Sequence, residues 1–332
     1  MGKNNPAQRI FWVDFAKGAV MIAVVWGHMI VSEIDANKLL AAFRMPFFFI
    51  MAGFLLNLDK WGGKNNYKAF RTKLINRLLV PYYSAEILSY PVWFIVCYKL
   101  GFLKYLGDLT IREPVDTFLA TFVGNAGHFT LILPQLWFLT VLFFAELIFI
   151  KLFNAFSPKI FLLAVIISTG VGFYLKDIML PLGIDIALVV QIFLLTGVLI
   201  RRYKIVEKID FKIFVVLAII LIGAVHFNGR IDMNYRIYGN ALLFYLGAIV
   251  GTLLVMKIST LIARGKIFSL ISDCGKESMT ILIWHPIIAN VFYEILARFT
   301  ALDPEEFFTN PIIIFCATTL GTLISLLIAK KF

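Results

Sequence analysis

Two histidines stand inside strongly apolar stretches of this sequence, His28 in VVWGH and His285 in ILIWHPII. Imidazole titrates near neutral pH, so a histidine held among apolar side chains can serve as a general base. The plainer reading of each is a packed histidine hydrogen-bonded to a neighbouring helix. The stretch before the first of them, RIFWVDFAKGAVMIAVVWGHM from Arg9 to Met29, adds two charges, Asp14 and Lys17. At 100° per residue, Asp14, Lys17 and His28 fall within about 60° of one another, so one polar stripe runs along an apolar helix. Lys17 follows Asp14 by three residues, the spacing of an ion pair on one helix face. That pair either locks the helix in a bundle or lies along a substrate path. The rise from Asp14 to His28 is roughly 21 Å, which puts the two near opposite ends of the segment.

Four further segments carry side chains that need explaining. In FRMPFFFIMAGFL, from Phe43 to Leu55, Arg44 either reaches out to a polar boundary or binds an anionic or carbonyl oxygen. It can steady an oxyanion but not act as a base, because arginine keeps its proton in proteins. Pro46 is able to kink this helix and Gly53 to admit a close neighbour. In RTKLINRLLVPYY, Arg71, Lys73 and Arg77 form a basic cluster, either an ordinary loop charge or a clamp for phosphates. A later segment opens with Gln135-Leu-Trp137-Phe-Leu and buries Glu146. Trp137 suits a membrane interface, and Glu146 requires a cationic partner. The last segment is CGKESMTILIWHPII, in which a Gly-Lys-Glu-Ser turn leads into the helix of His285. Cys97, Cys274 and Cys316 are far apart with no CxxC spacing, and neither a disulfide framework nor a metal site is expected.

The elements that must position these groups follow from composition. Of 332 residues, 61% are hydrophobic and 15% charged, against about 25% charged in soluble domains. That excludes a water-soluble enzyme and a disordered chain alike. A helix needs about 20 apolar residues to cross a bilayer. Ten stretches qualify as candidates: Phe11–Ser32, Leu39–Leu58, Leu78–Lys99, Gln135–Phe153, Ile160–Leu175, Ile184–Ile200, Phe211–Phe227, Gly239–Met256, Ser278–Ala297 and Pro311–Ala329. With both termini cytoplasmic, 21 of the 31 basic residues fall in inner loops and eight in outer ones, whereas acids number five inside and twelve outside. This asymmetry is the positive-inside pattern, and it accounts for the net charge of +11 without a nucleic-acid partner. The expectation is an all-α polytopic membrane protein, a single domain over 1–332 with about ten transmembrane helices, in the plasma membrane.

Intramembrane charge serves enzymes and transporters equally, so a transporter or flippase for a lipid-linked sugar or small anion is the competing class. A transporter commonly shows two repeated halves; here the charges crowd toward the N-terminal end.

Taken in order, Arg9…Asp14…Lys17…Trp-Gly-His28, then Phe43-Arg44-Met-Pro-Phe-Phe-Phe…Gly53-Phe-Leu, then Arg77-Leu-Leu-Val-Pro-Tyr, then Leu136-Trp137-Phe-Leu, then Gly275-Lys-Glu-Ser278…Trp284-His285, the sequence resembles the acyltransferase-3 family of integral membrane acyltransferases. The first motif is most similar to its fucose 4-O-acetylase-like, stand-alone subgroup. The resemblance implies transfer of an acyl group, in that family often acetyl, from cytosolic acyl-CoA to a hydroxyl of a cell-surface or lipid-linked glycan. It implies acetyl-CoA as donor substrate, membrane lipid around the protein and glycan-biosynthesis proteins as partners. By the same token His28, Arg44, Asp14 and Lys17 become catalytic candidates. Arg9, Arg71, Lys73 and Arg77 become donor-binding candidates, and Glu146, Trp137 and His285 substrate-binding or orienting ones.

Overall fold

The computed structural model describes residues 11–29, 35–63, 66–102, 113–262, 266–300, 302 and 304–331. Among these residues the chain is helical, with isolated bridges at Ala126–Phe129 and Asp232–Ile237 in place of strands. Every one of the ten apolar stretches contains helix. Among the described residues, six helices are long and apolar enough to cross a membrane by length and composition, or seven if one bent pair is a single span. The strong spans are 36–55, 134–155, 211–228, 241–261, 278–299 and 311–331.

The remaining stretches fall short for physical reasons. Helix α1 (Phe11–His28) has 18 residues, but its polar stripe dilutes its apolarity. The third stretch belongs to a longer helical run, 67–99, which begins as α5 (Tyr67–Leu74) and α6 (Val80–Val92). Two π-helical stretches, Ile75–Leu79 and Trp93–Lys99, interrupt it beside Pro81 and Pro91, which cannot donate to the preceding turn. The fifth stretch, α9 (Pro158–Tyr174), has 17 residues. The sixth is a broken pair, α10 (Ile184–Val189) and α11 (Gln191–Arg202), bent by 49°.

The second stretch also breaks, between α2 (Asp35–Ala41) and α3 (Arg44–Leu55). Pro46 has no N–H for the carbonyl four residues earlier, that of Ala42, and the helix opens there. This break sets Arg44 at the first turn of α3, aimed back over the end of α1.

Glycines let the core helices touch. Residues Lys266–Lys276 form an amphipathic helix, α14, that crosses α1 where Gly18 meets Gly275. A Cβ at Gly18 would collide with the Ile271 carbonyl, and one at Gly275 with that of Asp14. The expected Gly-Lys-Glu-Ser turn is therefore corrected: Gly275 and Lys276 finish α14, and Glu277 alone separates it from α15 (Ser278–Phe299). Gly53 of α3 and Gly197 of α11 form a second close crossing, each against the other helix's backbone. The outward surface is apolar: Phe211, Val216, Ile219 and Ile222 of α12 (Phe211–Asn228) are all exposed, as suits a lipid-facing helix.

One end of the bundle is tied by buried polar groups. Glu86 of α6 is fully buried and accepts hydrogen bonds from the backbone N–H groups of Ile132 and Leu133, at 3.2 and 3.1 Å. These bonds seat the turn that enters α8 (Trp137–Ala155). Across from it, the segment 229–240 is fastened by Arg236. Its Nε and Nη2 donate to the two oxygens of Asp185, at 2.9 and 3.1 Å, with both side chains buried. Its Nη1 donates to the carbonyls of Asn125 and Asn234, at 2.8 and 2.7 Å. Asp185, at the start of the apolar stretch Ile184–Ile200, is thus a buried anchor.

Candidate active site

The tied end encloses a cavity of about 500 Å³. Its wall includes Gly27 and His28 from the end of α1, Asn37 and Lys38 from α2, Arg44 from α3, Gln135 and Trp137 at the start of α8, and Arg230 to Tyr235 of the fastened segment. Sequence reading had placed His28, Arg44 and Trp137 at separate ends of separate motifs; the fold brings the three to one wall.

His28 sits at the cavity wall with His285 of α15 directly behind it. His28 Nδ1 and His285 Nε2 are 2.8 Å apart, and His285 Nδ1 is 2.7 Å from the Ile281 carbonyl oxygen. His285 itself is fully buried. A carbonyl only accepts, so His285 Nδ1 carries a proton and donates it to Ile281. In neutral His285, Nε2 is then the lone-pair nitrogen and must accept from His28 Nδ1–H. In neutral His28 the remaining nitrogen, Nε2, is left as an unprotonated lone pair. The helical backbone of α15 thereby sets the tautomer of a residue 257 positions away.

Arg44 reaches the same place through Gly27. A Cβ at Gly27 would collide with the Arg44 guanidinium, so glycine before His28 is what lets the cation lie beside the imidazole. Arg44 Nη1 donates to Asn37 Oδ1 at 2.8 Å, which fixes the guanidinium across the break between α2 and α3. Opposite them, Asp232 Oδ1 accepts from the backbone N–H groups of Asn234 and Tyr235, at 3.1 and 3.2 Å, and Oδ2 lies 3.9 Å from Arg230. Burial pushes the Asp232 carboxyl above its ordinary range; the Tyr235 N–H, then Arg230 and Arg44, pull the other way.

Other candidates lie elsewhere. Asp14 is buried and Lys17 half-buried on α1, beside the crossing with α14 and not on the cavity wall. Glu146 is buried in α8, nine residues beyond Trp137, and forms an ion pair with Arg77. It therefore answers the cluster of cations and does not reach the cavity of His28. Around that pair, Lys60 and Lys73 lie 4.7 and 5.1 Å from the Trp61 ring. Partial burial, and then the Arg77 charge, lower the Lys73 ammonium from its ordinary value, with Glu146 opposing. Arg71 is exposed on α5. Arg9 lies outside the described residues. The cationic cluster lies beyond the far end of α3 from Arg44, about 18 Å along twelve residues of helix.

Asn37, Gln135, Arg230 and Asp232 were not foreseen as site residues. Gln135 stood in a quoted motif but was read only as the opening of a span. Asn37 lies in the first turn of α2, and Arg230 and Asp232 in the segment between two helices, places where polar residues are ordinary and carry no periodic signal.

An unprotonated imidazole nitrogen beside a fixed guanidinium, held in an apolar helical bundle, is chemically able to assist group transfer as a base. The family model described as an acyltransferase domain, that of acyltransferase-3, matches residues 10–330. The chain belongs to that family and is a multi-pass membrane acyltransferase. No curated protein and no solved structure matches it.

Proposed function

We propose that this protein is an O-acetyltransferase of the plasma membrane, which moves an acetyl group from cytosolic acetyl-CoA to a hydroxyl of a cell-surface or lipid-linked glycan. Of the chain's features, the lone pair left on His28 Nε2, beside the Arg44 guanidinium at a cavity wall, carries this reading. The acceptor hydroxyl gives its proton to His28 Nε2 as its oxygen attacks the thioester carbonyl. The new C–O bond forms, the carbonyl oxygen takes up negative charge, and Arg44 faces that charge. On collapse the C–S bond breaks, and the proton passes from His28 to the departing sulfur. While His28 is imidazolium, its Nδ1–H still donates to His285 Nε2, so the charge develops against a lone pair already in place.

The cations at the other end, Arg71, Lys73 and Arg77 with, from the geometry, Lys60 beside Trp61, hold the phosphates of the donor; Arg9, outside the described residues, is assigned to the donor from the sequence alone. A donor gripped there and a cavity at the opposite end of α3 require the pantetheine arm to pass through the bundle, alongside α1, which carries Asp14 and Lys17. In this reading α1, residues 78–99 of the run 67–99 and α9 cross the membrane along with the seven longer or bent spans, ten crossings in all, and both termini are cytoplasmic. The similarity of the first motif to the fucose 4-O-acetylase-like subgroup points to a sugar hydroxyl as the acceptor.

The test is transfer of radiolabel from [14C]acetyl-CoA by purified full-length protein to the surface polysaccharide of its own cell. His28→Ala is expected to lower the rate by about 10²–10⁴-fold, the range of a general base. Full activity in that variant would sink the assignment.

A further inference from the structure

We infer that Gln135 grips the acceptor: its side-chain amide donates to an oxygen of the sugar next to the hydroxyl that is acylated. This inference rests on the transferase reading above. Gln135 is 6% exposed and lines the same cavity as His28 and Arg44. Among the described residues its Nε2 is buried with no hydrogen-bond partner. Buried amide nitrogens are paired in the great majority of cases, and leaving one unmade is costly, so the position is held for a ligand oxygen. Gln135 is rigidly placed. It lies in the 3-10 turn Pro134–Leu136 that opens α8, where the Pro134 carbonyl accepts from Asn125 Nδ2 at 3.0 Å. The same Asn125 Nδ2 lies 3.0 Å from Asn234 Oδ1, which ties the turn to the segment of Asp232.

The surroundings name the ligand class. Trp137 contributes an aromatic ring, Asp232 a carboxylate and Gln135 a planar amide to the lining of this one cavity. An aromatic face with a carboxylate and an amide suits a compound with several adjacent hydroxyls and an apolar ring face. In the proposed reaction the donor's phosphates lie at the far end of α3 and its thioester oxygen faces Arg44, which leaves Gln135 to an oxygen of the acceptor.

The test uses full-length protein in membranes with [14C]acetyl-CoA and the isolated surface polysaccharide of its own cell, each titrated separately. Gln135→Leu, nearly equal in size, is expected to raise KM for the polysaccharide about tenfold or more and to leave KM for acetyl-CoA unchanged. Gln135→Glu, which exchanges the donor for an acceptor, is expected to do the same, and serves if the leucine variant does not fold. Gln135→Asn is expected to recover part of the loss. An unchanged polysaccharide KM in both variants overturns the inference, as does a loss confined to kcat with both KM values intact. If His28→Ala is inactive while Gln135→Leu titrates like the parent, the Gln135 assignment alone fails. If the parent protein leaves the polysaccharide unlabelled, the transferase reading fails and this inference with it.

Discussion

The proton on His28 is placed by a backbone carbonyl two hydrogen bonds away, while the charge of Arg44 lies at its side. The Ile281 oxygen dictates the proton on His285, and His285 dictates the proton on His28. His285→Ala removes the acceptor of Nδ1–H and frees the ring to turn or to change tautomer. The expected result is a fall in kcat of about 10–100-fold, the usual loss when an orienting partner is removed, with KM for both substrates near the parent's. His285→Gln, whose Oε1 can accept at the Nε2 position, is expected to regain most of it. A merely structural histidine would not show that rescue, so steady-state kinetics on the pair of variants decides the point. Gly27 offers the complementary case. Gly27→Ala places a methyl where the Arg44 guanidinium lies. The expected cost in kcat is about 10²–10³-fold, that of losing one oxyanion donor. Because both changes remove the same cation, Gly27→Ala with Arg44→Ala is expected to be no slower than Arg44→Ala alone. Additive losses in that cycle would show that Gly27 acts otherwise.

At the scale of elements, the cavity depends on segments that are not membrane spans. The segment 229–240 brings Asp232 to the wall only because Arg236 is fastened to Asp185 and to two carbonyls. Asp185→Asn leaves the guanidinium buried without its counter-charge, which costs about 3–5 kcal/mol when one partner of such a pair is removed. We expect a lower melting temperature in detergent and a raised KM for the acceptor, both read on one purified sample. An unaltered melting temperature would show that the pair does not hold the segment. This part of the fold was illegible in the sequence. Asp185 and Arg236 are 51 residues apart, and nothing in local pattern links them. The helical stretches were legible, because continuous apolar runs of that length have few other structures open to them. Where they were misjudged, the cause was local: the Gly-Lys-Glu-Ser sequence has the residues of a turn, yet tertiary packing against Gly18 keeps Gly275 helical. Within the site, His28, Arg44, Trp137 and His285 stood out as polar or interfacial groups in apolar runs. Gln135 and Asn37 did not, since an uncharged amide near a helix start is unremarkable until its surroundings are known.

At the scale of the whole molecule, the two ends differ in charge and in chemistry. One end carries Lys60, Lys73, Arg77 and the tie from Lys330 to Asp273, which also accepts from Lys276. The other carries the cavity, roofed by 229–240. The proposed orientation turns the first end to the cytoplasm, in keeping with the excess of Lys and Arg in alternate loops. It requires the donor and the acceptor to meet the protein from opposite sides of the membrane. That requirement is testable without any assay of transfer. Tyr235 is exposed at the cavity rim, and Lys151 is exposed near the end of α8 beyond Glu146. In intact cells, Tyr235→Cys is expected to react with a membrane-impermeant maleimide, and Lys151→Cys only after the membrane is opened. The three native cysteines, two of them buried, supply the background against which labelling is read. Labelling of Lys151→Cys alone in intact cells would reverse the orientation. Acyl-CoA would then have to reach the cavity of His28 directly, and the cationic cluster around Arg77 would lose its assignment as the donor's anchor.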